Sequence, residues 1–188
     1  MSRPTVLIVP GLRDHVAQHW QTLLAEALPS ARSVPPMGRE DLSCERRVQA
    51  IETAVASIGG PVLLVAHSGG CLSVAHWAAR SSLTSRVQGA LLATPPDFDT
   101  PMPAAYPTQS ELQKAGWFPV PRQTLPFPSL VAISDNDPLA TRERALSLAT
   151  DWGSTIQELG SVGHLNPASG FGRWPLAMDL MEQLTHSG

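Results

Sequence analysis

Short apolar runs alternating with amphipathic stretches predict a three-layer α/β fold, a mostly parallel sheet of about six strands with helices on both faces. Several of the runs are apolar throughout, as strands covered on both sides must be. The stretches between them repeat their apolar residues at helical spacing. Strands are expected at 5–9, 31–34, 62–66, 87–93, 130–134 and 155–159. The first helix is expected at 19–28, where Trp20, Leu23, Leu24, Ala27 and Leu28 share a face. The second is expected at 42–58, where Val48, Ile51, Val55 and Ile58 recur. Asp41 or Ser43 can cap the start of that helix, and Gly59-Gly60 can end it. Further helices are expected at 69–80, 142–152 and 175–184, the last opened by Pro175, whose missing N–H costs nothing in a first turn.

Composition bounds the rest. A chain of 188 residues fits one domain, 1–188, with 43% hydrophobic and 15% charged residues, ordinary for a soluble globular protein. The net charge is −3, and basic residues are interleaved with acids, as in Glu45-Arg46-Arg47. No basic face for a phosphate backbone results, so nucleic acid is not an expected partner. Cys44 and Cys71 make no disulfide framework. Met1-Ser2-Arg3-Pro4 lacks the apolar run of a signal peptide, and no stretch approaches the roughly 20 apolar residues that span a bilayer. The expectation is a cytoplasmic protein without membrane attachment, monomeric or homodimeric.

One segment breaks the rhythm. Residues 95–128 hold 9 of the 18 prolines, with Tyr106, Trp117 and Phe118. The segment follows the fourth strand, near the carboxyl ends where sites form in open α/β sheets. It reads either as a partial cover over a pocket, with a short helix near 110–115, or as a stiffened surface loop without substrate contact.

Four motifs carry chemistry. In Val62-Leu63-Leu64-Val65-Ala66-His67-Ser68-Gly69-Gly70 an apolar strand meets a sharp turn on serine and then a helix. Small residues must flank such a serine, and the helix N-terminus favours negative charge beside its oxygen. The pattern is A-x-S-x-G, and it lacks the Gly-Lys-Ser/Thr of a phosphate loop. Val9-Pro10-Gly11-Leu12 ends the first strand, and its loop can lend a backbone N–H to an oxyanion, with Leu12 and Gly69 as the donors. Ser134-Asp135-Asn136-Asp137-Pro138 brings two carboxylates after the fifth strand. Asp137 is favoured as the partner of a histidine, and Asp135 as the closer of the turn. Gly163-His164-Leu165 follows the last strand and frees a histidine to reach the serine. His67 is expected to support the site through hydrogen bonding. His15, His19, His76 and His186 fall at helical or surface positions and need no special role.

Each motif alone has a bland reading as a turn or a solvated loop. Jointly, Ser68, Asp137 and His164 occur in the order of an α/β-hydrolase triad, each just after a strand. Two rival readings are a non-catalytic binding protein on the same scaffold, and Cys71 as nucleophile. Trp117 and Phe118 are candidates for an acyl pocket, whereas Trp20, Trp77, Trp152 and Trp174 read as packing residues.

The motifs resemble the small serine hydrolase family of the α/β-hydrolase superfamily, that of the retinoblastoma-binding serine hydrolase. The resemblance rests on Val9-Pro10-Gly11 with His19-Trp20, the 66–70 turn, Ser134-x-x-Asp137-Pro138, and the closing run from Gly163-His164-Leu165-Asn166-Pro167 to Trp174-Pro175, which matches its bacterial branch. It implies the Ser68–His164–Asp137 triad, an open sheet with little or no cap domain, and hydrolysis of small acyl esters; acyl transfer through such a triad requires no cofactor or metal. Ala66, where glycine is commoner, and Leu12-Arg13 are its departures.

Overall fold

The computed structural model describes residues 3–13 and 16–186, so His15 and the two terminal pairs lie outside the described residues. Its six strands are β1 (Thr5–Val9), β2 (Arg32–Ser33), β3 (Val62–His67), β4 (Val87–Ala93), β5 (Ser129–Ile133) and β6 (Thr155–Glu158). All pairings are parallel, in the order β2-β1-β3-β4-β5-β6. The helices are α1 (Trp20–Ala27), α2 (Cys44–Ser57), α3 (Gly69–Ala78), α4 (Gln109–Lys114), α5 (Arg142–Asp151) and α6 (Leu176–His186).

Alternation along each inner strand builds two cores. Leu7 and Val9, Leu64 and Ala66, Ala90 and Leu92, Val131 and Ile133 face a layer that includes Val48, Ile51, Leu72, Trp77 and Leu148, from α2, α3 and α5, and Trp152 just after α5. Ile8, Leu63, Val65, Leu91, Ala93, Leu130 and Ala132 face the other layer, with Trp20 and Leu24 of α1 and Leu180 and Leu184 of α6. The inner strands are therefore apolar throughout because both faces are covered. Edge strands behave differently: β2 shortens to two exposed residues, and three of the four residues of β6 are exposed. Burial is what extends an apolar pattern, and edges lack it on at least one side.

Local chemistry sets the helix starts. Ser43 rather than Asp41 caps α2, accepting from the Arg46 N–H at 3.2 Å, while Asp41 Oδ1 accepts from the Ser43 N–H. Thr108 and Glu111 close a capping box on α4. β1 leads outward to β2, and α2 then carries the chain back to β3 on the other side of β1. Loops leaving β1 and β3 therefore diverge at their carboxyl ends, which opens a crevice at this switch point. No separate cap domain stands over it among the described residues, and none of the helices there is long and apolar enough to cross a membrane.

Candidate active site

Ser68 sits between β3 and α3 with φ 55° and ψ −132°, a left-handed backbone that a β-carbon disfavours. Such strain costs of the order of 1–3 kcal/mol and persists only where the surroundings enforce it. Here the Ser68 N–H donates to the Ala93 carbonyl at 3.0 Å. Gly70 allows α3 to press against β1, because a Cβ there would lie 2.5 Å from the Val9 carbonyl oxygen and 2.7 Å from that of Pro10. Ala66 has no exposed surface and packs in the α2–α3 core.

His164 is held at four points. Its backbone N–H donates to Ser169 Oγ at 3.0 Å, and its carbonyl accepts from His67 Nε2 at 2.8 Å. Nδ1 lies 2.9 Å from both carboxylate oxygens of Asp137, and Nε2 lies 2.7 Å from Ser68 Oγ. With the Nδ1 proton donated to the carboxylate, the Nε2 lone pair faces the serine hydroxyl. Asn136 ties the two loops together, since its Oδ1 accepts from the Gly163 N–H at 2.6 Å and from Ser134 Oγ at 3.1 Å. The Asp137 side chain is 4% exposed, whereas that of Asp135 is about half exposed and pairs with Arg142 at 3.7 Å. Of the two carboxylates, only Asp137 meets the imidazole.

Burial pushes the His67 imidazole well below its ordinary pKa, and the neighbouring His164 and His19 push the same way. A neutral ring whose Nε2 proton is committed to a carbonyl has no role as the serine's base. His19 is buried at the start of α1, which it caps by accepting from the Gln21 N–H, and its ring lies 4.7 Å from that of His67. Cys71 is fully buried, its thiol donates to the Ala93 carbonyl, and burial raises its pKa far above the usual thiol value. Nothing there resembles an activated nucleophile.

Ser68 and His164 open on a cavity of about 180 Å³, whose apolar wall includes Leu12, Val16, Phe98, Met102, Tyr106 and Leu139. Leu12 and Gly69 both line it, and neither N–H has a protein acceptor among the described residues. Trp117 and Phe118 do not line it. Trp117 is fully buried, donates from Nε1 to the Leu42 carbonyl at 2.8 Å, and stands edge-on behind Phe98. Phe118 packs on that same core. The pocket aromatics are instead Phe98 and Tyr106, eleven or more residues earlier in the same segment. Sequence reasoning also passed over Asn136, Ser169, His19 and Gln21. Asn166-x-x-Ser169 did carry a signal, as an asparagine cap on a short turn, but nothing in its spacing tells that Ser169 would hold the His164 N–H.

This sheet, with a strained serine turn at its switch point, places the protein among the α/β-hydrolases. More narrowly, the chain belongs to the serine hydrolase family, whose model matches residues 6–183. A YdeN-like hydrolase from Pectobacterium atrosepticum superposes with a TM-score of 0.83 at 25% identity, over 98% of this chain and 91% of that one. The ydeN gene product of B. subtilis gives 0.73 at 18% identity, over 97% and 98%. Est1E from Butyrivibrio proteoclasticus, in a structure with ferulic acid bound, gives 0.70 at 14%, over 98% and 87%. The comparison with curated proteins returns no match.

Proposed function

We propose that this protein is a carboxylesterase-like serine hydrolase of small acyl esters, working through Ser68, His164 and Asp137. The observation that carries the reading is the unbroken hydrogen-bonded chain from Asp137 through His164 to Ser68, ending on an apolar cavity. Ser68 Oγ attacks the acyl carbonyl as its proton passes to His164 Nε2. Asp137 holds the ring and stabilises the imidazolium. The Leu12 and Gly69 N–H groups receive the tetrahedral oxyanion, each such donor being worth about 2.7–4 kcal/mol in the transition state. Collapse expels the alcohol, which takes the proton from His164. Water then attacks the acyl-enzyme with His164 again as base, and releases the acid and free Ser68. The apolar wall suits a short or medium acyl or alkyl group.

Fluorophosphonate labelling followed by peptide mass spectrometry tests this. Stoichiometric labelling at Ser68, lost in Ser68→Ala, is the expected result. Folded wild-type protein that takes up no label would sink the proposal and favour a binding protein on a hydrolase scaffold.

A further inference from the structure

Arg47 belongs to the interleaved charges of Glu45-Arg46-Arg47, yet it is 5% exposed. Its guanidinium reaches out of α2 to three backbone carbonyls: Nη1 donates to Gly11 O at 3.3 Å, and Nη2 to Leu12 O at 3.4 Å and Asp41 O at 2.8 Å. Two of these belong to the loop after β1, which holds one of the two N–H groups assigned above to the oxyanion.

We infer that Arg47 is a positioning residue that sets the orientation of the Gly11–Leu12 peptide and so aims the Leu12 N–H at the reacting carbonyl. This rests on the acyl-transfer reading. The Gly11–Leu12 peptide is trans, so its C=O and N–H point in opposite directions. Drawing the carbonyl toward Arg47 turns the Leu12 N–H away from α2. The serine stands close to this peptide: a Cβ on Gly11 would lie 3.2 Å from Ser68 Cβ and 3.6 Å from Ser68 Oγ. Glycine leaves the orientation of this peptide soft, because it accepts backbone angles on either side of zero φ. Something outside the loop must choose, and the buried guanidinium does. Arg47 does not line the cavity, so it acts through the peptide and not on substrate.

The test compares wild type, Arg47→Met and Arg47→Lys in p-nitrophenyl acetate turnover, in affinity for a trifluoromethyl ketone that forms an oxyanion-bearing adduct, and in thermal unfolding. Loss of one oxyanion donor typically lowers kcat by about 10²–10³. A misaimed donor should give about 10- to 100-fold in Arg47→Met, with KM within about threefold and ketone affinity falling in step. Arg47→Lys, which keeps donors on a flexible stem, should fall between. A merely structural role would lower the unfolding temperature and leave the ratio of ketone affinity to KM unchanged. That result, or kcat within about twofold of wild type in a folded variant, overturns the inference. Should Arg47→Met not fold, Arg47→Lys decides by the same criteria. Wild type that fails to label at Ser68 removes the acyl-transfer reading and this inference together. Labelled wild type with unaffected variants removes the inference alone.

Discussion

Residues 95–107 and residues 115–128 are similarly rich in proline, five against four, yet they attach to the molecule in different ways. The first stretch runs over the cavity. Pro96, Phe98, Met102, Tyr106 and Pro107 line it, and the Arg13 guanidinium lies 4.1 Å above the Tyr106 ring and donates to the Ala105 carbonyl. The second stretch is woven into the core. Trp117 donates to Leu42, its carbonyl meets His76 Nε2 at 3.1 Å, the Trp152 indole donates to the Pro121 carbonyl, and Leu125 and Phe127 are buried. Proline removes backbone donors, so neither stretch can join the sheet. What each can do is decided by where its large side chains find partners. An ion-pair network of Asp97 and Asp99 with Arg144, and Arg122 with Asp99 and Asp151, ties both stretches to α5.

Truncating the second stretch should have the largest effect on stability. Trp117→Ala removes a fully buried indole and its hydrogen bond, and a loss of about 3–5 kcal/mol is expected in urea denaturation. If the variant kept its stability and changed KM instead, the division between cover and anchor would be wrong.

Acid should loosen the same stretch by a smaller amount. Burial lowers the His76 pKa from 6.5 to about 4, against the opposing pull of the Trp117 carbonyl. Above pH 6.5 the ring is neutral whether the chain is folded or unfolded, so His76 has no pH-dependent effect there. As pH falls from 6.5 toward 4 the unfolded chain binds a proton that the folded chain refuses, and stability drops. At about 1.36 kcal/mol per pKa unit this amounts to at most about 3 kcal/mol. His76→Gln should flatten that part of the stability–pH curve, and an unchanged slope would remove His76 as its source.

The smallest expected effect on stability falls on the cover. Tyr106→Ala should shift unfolding by under about 1 kcal/mol while changing the relative kcat/KM of short and longer acyl esters by roughly 3- to 10-fold, the usual worth of a reshaped apolar contact. Equal kcat/KM ratios in variant and wild type would show that 95–107 merely borders the cavity.

The elements themselves were legible because each rests on a local pattern. The run 62–66 is apolar at every position, and in the structure it forms a strand, one residue longer, buried on both faces. The choice of Ser68, Asp137 and His164 came from strand ends and chain order, and the structure brings those three side chains together. The pocket was less legible. Trp117 and Phe98 are both aromatic residues in a proline-rich stretch, and composition does not say which faces the cavity and which stands behind it.

By itself, then, the sequence determined the strand–helix order, the tight serine turn and the loops bearing Asp137 and His164, because periodicity and small residues act over a few neighbours. Tertiary structure alone decided that Arg47 turns toward Gly11, that His67 holds the carbonyl of a residue 97 positions away, and which half of the proline-rich segment faces the cavity. These contacts depend on the direction a side chain takes after distant strands have paired, and no spacing along the chain encodes that direction.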